Sequence, residues 1–208
     1  CLSHQSFAMS ADADTVSRYA LLVPKSGTYS RAISTDVALA QTYFDQGLRL
    51  AWGFYFPESI ASYQEASRLD PTHPMPYWGI AHAAGPNPNS RYAQMPDDPQ
   101  GAGLAAIEAA LDRIDRATPM EAALIKALYV FYNAKSIPDP RERDRAYLAE
   151  MRKLNKKHPY DPDIAALYAG SFMSIRRWDY WDKSGEAKGE TLAVAEALEH
   201  VINTGDPH

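Results

Sequence analysis

At 208 residues with 46% hydrophobic content, the chain is long enough for one well-buried domain. Its formal net charge of −5 argues against nucleic acid as a partner, because a phosphate backbone demands a basic face. No apolar run reaches membrane-spanning length, and a single cysteine, residue 1, leaves no internal disulfide and no thiolate zinc site.

A lone cysteine at the first position is what lipoprotein signal cleavage leaves behind. Cys1 is therefore expected to carry lipid, with Leu2 to Ser6 as a polar tether, in a protein outside the cytoplasm (periplasm, outer membrane or cell surface). The alternative is that residue 1 is an arbitrary boundary and its thiol incidental. Ser10 to Leu22 has the pattern of a short, weak helix. Gly27 to Ile33 follows a Lys-Ser-Gly turn and reads as extended, from its β-branched and aromatic residues. Residues 1–34 are thus expected to form a tether and extended arm, and residues 35–208 a helical domain.

Ser34 or Thr35 is placed to cap the first long helix, running to about Phe54. Pro57 then suits the first turn of a second helix, which stops at Asp70-Pro71. Further starts use one device. Thr118-Pro-Met-Glu121 is a capping box with Pro at the first helical position, Asp139-Pro-Arg-Glu142 repeats it, and Asp161-Pro162 supplies cap and Pro again. Helices from about Ala102 to Arg116 and from Glu190 to Ile202 complete about four hairpins. A basic knot, Arg152, Lys153, Lys156 and Lys157, falls near a helix end, where cations favour the dipole. Between helices, Gly85 to Gln100 is too rich in Pro and turn formers to be helical, and Arg176 to Gly185 is a polar-aromatic excursion.

The pattern from Ala40 to Gly85 repeats. Tyr43 is followed by Tyr77 and Gly47 by Ala81, each 34 residues later, and a small residue at that point lets two helices approach closely. This period, ending in Asp-Pro, resembles the tetratricopeptide repeat. The segments Tyr43 to Leu50 (YFDQGLRL), Trp78 to Asn89 (WGIAHAAGPNPN) and Trp178 to Trp181 (WDYW) are also similar to those of bacterial tetratricopeptide lipoproteins.

The resemblance implies an all-α fold, a right-handed solenoid of stacked hairpins with an irregular arm. Such a fold leaves a concave groove that takes a protein or peptide partner. On that reading Phe44, Leu48, Trp78 and His82 are groove candidates, with core packing as the alternative for the aromatics and for His82. Asn87 and Asn89, in the connection after the second repeat's first helix, are candidates too. Trp178, Tyr180 and Trp181 either stack on a partner side chain or sugar ring or plug the last hairpin.

No glycine-rich phosphate loop, G-x-S-x-G or H-E-x-x-H occurs. Glu196 and His200 lie one helical turn apart, but two ligands are too few for a metal, and Asp97 and Asp98 sit among turn formers. The expectation is a non-enzymatic interaction scaffold with no catalytic residues, no metal and no cofactor. A second class is a structural subunit that self-assembles into an oligomer or filament through its arm and solenoid ends. The chain closes on Asp206-Pro207, the device that elsewhere precedes a helix; either more helices follow or this is a shortened version.

Overall fold

The computed structural model of the chain describes residues 19–85 and 99–204. Among them the regular structure is all helical: α1 (Ala38–Trp52), α2 (Phe56–Leu69), α3 (Met75–Ala84), α4 (Pro99–Leu111), α5 (Pro119–Tyr132), α6 (Pro140–Lys157), α7 (Pro162–Arg176) and α8 (Thr191–Thr204). An isolated bridge between Trp181 and Ala187 is the sole strand-like pairing described.

The local signals for helix starts act as their chemistry requires. Thr118 Oγ1 accepts from Glu121 N–H, and the Glu121 carboxylate accepts in return from Thr118 N–H, closing the capping box of α5. Asp161 accepts from Ile164 N–H ahead of Pro162. Asp139 caps α6 through Arg141 N–H, two residues on, without the reciprocal bond of a capping box. Pro57 occupies the first turn of α2.

Three boundaries depart from expectation. Helix α1 begins at Ala38 rather than after Ser34 or Thr35. The Thr35 hydroxyl accepts from Val37 N–H and donates to Asp70, while Ser34 is taken up by other partners, so neither side chain caps the helix. Residues expected to form one helix from 102 to 116 divide into α4 and a short 3-10 turn over Ile114–Arg116. The aromatic expected to end α1, Phe54, lies beyond it in the left-handed region, φ 64°, and re-aims the chain into α2.

Each helix packs on the next in sequence, and α1 also touches α3, as α3 touches α5. The seam of the first hairpins is built around Tyr63 of α2. A Cβ on Gly47 of α1 would come within 2.7 Å of its ring, and one on Gly79 of α3 within 2.4 Å. The two glycines therefore form the walls of a slot that a tyrosine ring fills completely, and Tyr63 is fully buried. One interior continues through Met75, Ile107, Ile125, Leu128, Met151 and Ile164. No described helix is long and apolar enough to cross a membrane.

Candidate functional site

The polar chemistry of this molecule concentrates where residues 19–37 meet the helices. Main chain in an extended segment has unpaired N–H and C=O groups that must find partners when they are covered. Here α1 supplies them. Gln46 Oε1 accepts from Val23 N–H at 2.7 Å while its Nε2 donates to Leu21 carbonyl at 3.0 Å. One turn and a residue earlier, Gln41 repeats the arrangement: Oε1 accepts from Ile33 N–H at 2.9 Å and Nε2 donates to Arg31 carbonyl at 2.9 Å. Each amide thus reads the N–H of one residue and the C=O of the residue two before it, the pairing a neighbouring strand would make.

Asp45, between the two glutamines, accepts from Arg31 N–H at 3.0 Å, from Ser30 Oγ at 2.7 Å and from Gln41 Nε2 at 2.9 Å. Further along, Arg49 donates to Tyr29 carbonyl and Glu65 accepts from Tyr19 N–H. Tyr43 Oη donates to Ala20 carbonyl at 3.3 Å.

Arg31 ties the arm to the other end of the described chain. Its guanidinium grips Asp161 with both terminal nitrogens, at 2.9 and 3.0 Å, and reaches Asp163 at 2.8 Å. Asp163 also accepts from Tyr29 Oη at 2.8 Å and from Trp52 Nε1 at 3.2 Å. Both aspartates sit at the start of α7, where the helix dipole favours negative charge. Burial alone would raise Asp161, but the hydrogen bonds and charge of Arg31 prevail and hold it below the usual carboxylate range. Burial, reinforced by Asp163, pushes the Tyr29 phenol well up, so it stays a donor.

A second fastening closes on Ser34. Its N–H and hydroxyl both donate to Glu121 at the start of α5, at 2.8 and 2.7 Å, and its oxygen lies 2.9 Å from His73 Nε2. Met75 N–H donates to His73 Nδ1 at 3.2 Å, which leaves the ring proton of the neutral imidazole on Nε2, facing Ser34. Burial lowers His73 although Glu121 and Asp70 pull the other way, with Arg116 adding to the lowering. Burial raises Glu121, yet Ser34 and Thr118 together outweigh it and keep the carboxylate low.

The sequence-derived candidates fall elsewhere. Phe44 and Leu48 are 0% exposed and Trp78 is 2% exposed. All three are interior packing, Phe44 lying 5.4 Å from the Tyr63 ring, so they cannot meet a partner in a groove as expected. The reason is that α1 is covered by α2, by α3 and by the arm, which together leave it little free face. His82 is buried, stacked on Trp78 at 5.3 Å and edge-on to Trp52 at 5.5 Å. With Trp52, Phe54, Leu167 and Ser171 it lines an apolar cavity of about 240 Å³.

Trp178 and Trp181 are 73% and 51% exposed, on the connection between α7 and α8, whereas Tyr180 turns inward to Phe172 at 6.1 Å. Cys1, Asn87 and Asn89 lie outside the described residues. Glu196 and His200 line a pocket of about 270 Å³ with Asn155, and no cluster of three or more His, Cys, Asp or Glu able to hold a metal occurs among the described residues.

The residues that sequence reasoning passed over are Gln41, Asp45 and Gln46. A signal existed: they are polar positions in the middle of an otherwise apolar helix, and Asp45 and Gln46 are buried, which demands hydrogen-bond partners. No protein-family model, curated protein or solved structure matches the chain.

Proposed function

We propose that this chain is a tetratricopeptide-type right-handed solenoid that acts as a non-enzymatic scaffold holding extended polypeptide. The observation that supports this reading is the pair of amide clamps, Gln41 and Gln46, each bonded to an N–H and a C=O of the same extended segment. Because the contacts are to main chain, the surface suits extended peptides with little demand on their side chains. Specificity then comes from the flanking anchors, Asp161 and Asp163 for an arginine and Glu121 for a hydroxyl. The groove and the stacking of hairpins belong to the proposal, on the strength of the 34-residue period and the α1–α3–α5 contacts.

A fluorescent peptide of residues 19–35 tests it. Added to the full chain bearing Arg31→Ala, which loosens the resident arm, the peptide should show saturable anisotropy. Binding should fall when Gln46→Leu is added. A peptide that never binds the loosened chain removes the scaffold reading.

The self-assembling reading rests on the same contacts made in trans, since a segment held by side chains of its own copy can be exchanged with another. Light scattering of the full chain, compared with a chain lacking residues 1–33, decides between them: larger species that vanish on truncation support exchange.

A further inference from the structure

The cavity beside His82 takes its walls from helices far apart in the chain: Trp52 of α1, Phe56 of α2, Tyr147 of α6, Gly170 of α7 and Leu198 of α8. Phe54 stands at its rim. That residue lies in the left-handed region at φ 64°, a conformation that costs free energy for a residue bearing a Cβ. Its ring is 59% exposed and edge-on to Phe56 at 6.0 Å. Trp52 is held in place by its Nε1–H, which donates to Asp163 at 3.2 Å.

Two features mark the space as kept open. Gly170 stands inside α7, where glycine weakens a helix relative to alanine. Gly47 and Gly79 are crowded by Tyr63, but a Cβ on Gly170 would meet no described atom within 4 Å. No packing need explains the missing methyl group, and its absence enlarges the cavity. Tyr147 is the second feature. It is 3% exposed and lines the cavity, yet its hydroxyl has no hydrogen-bond partner among the described residues. Burial alone pushes its phenol well up, so it remains an O–H that donates and accepts. A polar group so deeply buried calls for a partner, which a bound molecule can supply.

The lining defines that molecule. No Asp, Glu, Lys or Arg is among the residues that form it, so a charged group would be buried without a counterion. Water fills it poorly, because a buried water needs two or more polar partners and the Ser171 hydroxyl already donates to Tyr168 carbonyl at 2.7 Å. The rings of Trp52, Phe54, Phe56, His82 and Tyr147 favour a flat aromatic occupant, met face-on or edge-on. A cavity of about 150 Å³ holds benzene. At about 240 Å³, this one has room for about ten non-hydrogen atoms.

We propose that this cavity binds a neutral aromatic small molecule of about ten non-hydrogen atoms, whose hydroxyl or carbonyl pairs with Tyr147. The proposal does not rest on the scaffold reading, since no residue of the arm lines the cavity.

Calorimetric titration of the full chain with coumarin, a neutral lactone of about that size, is the test. Cinnamate, which has as many non-hydrogen atoms but carries a charge, is the contrast. Saturable one-to-one binding of coumarin is expected, with cinnamate at least about tenfold weaker. Tyr147→Phe should weaken coumarin about tenfold without lowering the melting temperature, because the hydroxyl has no partner to lose. Gly170→Leu should fill the space, abolish binding and melt no lower than the parent. Should leucine lower the melt, the unaltered protein still decides: coumarin protons should show nuclear Overhauser contacts to the methyl groups of Met173 and Leu198, which line the cavity. No binding up to about 5 mM coumarin, binding indifferent to Tyr147→Phe, cinnamate matching coumarin, or Overhauser contacts confined to other residues overturns the proposal.

Discussion

Gly47 and Tyr63 are in such close contact that a single methyl group on the glycine would meet the tyrosine ring at 2.7 Å. Gly79 faces the same ring at 2.4 Å. Three helices are thereby locked about one side chain, which has no room to swing because its own surroundings are fully packed. Gly47→Leu should overpack this slot and cost roughly 1–3 kcal/mol, and Gly79→Ala should act in the same direction. A thermal melt that does not move for either substitution would show that the α1–α2–α3 seam is not the tight contact described.

Arg31 is the fastening whose loss should free the arm. Its removal leaves Asp163 nearly buried with one cation fewer, a situation that costs about 3–5 kcal/mol when an ion pair is broken from one side. In Arg31→Ala, trypsin should cleave at Lys25 much faster than in the parent chain, while helix content by circular dichroism stays the same. Cleavage at an unchanged rate would mean that the arm is held without Arg31.

Gln46→Leu keeps the shape of the side chain but deletes both arms of its clamp and its bond to Ser62 at 3.0 Å. Leaving those covered groups unpaired should cost about 1–3 kcal/mol. Hydrogen exchange gives a local readout: the Val23 amide should lose protection while amides in α5 to α7 keep theirs. Uniform loss across the chain would point to a global effect instead of a local clamp.

Acid should loosen the molecule in two stages. The folded His73 is lowered, so it contributes stability as the neutral ring above its unfolded value; that stability drains away as pH falls below about 6.5 toward the folded pKa. Asp161 and Glu121 are lowered as well, and a lowered carboxylate stabilises above its unfolded value and loses that contribution below about pH 4. Melting temperature should therefore fall first as pH drops below about 6.5, then again at stronger acid. His73→Gln should remove the first stage and leave the second. A first stage that persists in that variant must come from another group.

What the sequence determined by itself was the division into helices and the closeness of the first hairpin. Thr118, Asp161 and Pro57 act within four residues of themselves, through a cap bond or a fixed φ, so their meaning does not depend on the rest of the chain. Gly47 was legible because a helix tolerates glycine at an apolar position mainly where another element comes too near for a Cβ. Which face of a helix meets solvent is a different kind of question. Phe44 and Trp78 lie at positions open to groove or core alike, and the elements that cover them, not their own spacing, put them inside. The arm is the clearest case. Arg31 finds Asp163 132 residues away and Ser34 finds Glu121 87 residues away, pairings that no local pattern encodes. Only the packed helices bring those amino ends together, and only then do the buried Asp45 and Gln46 of α1 acquire the main chain they were placed to hold.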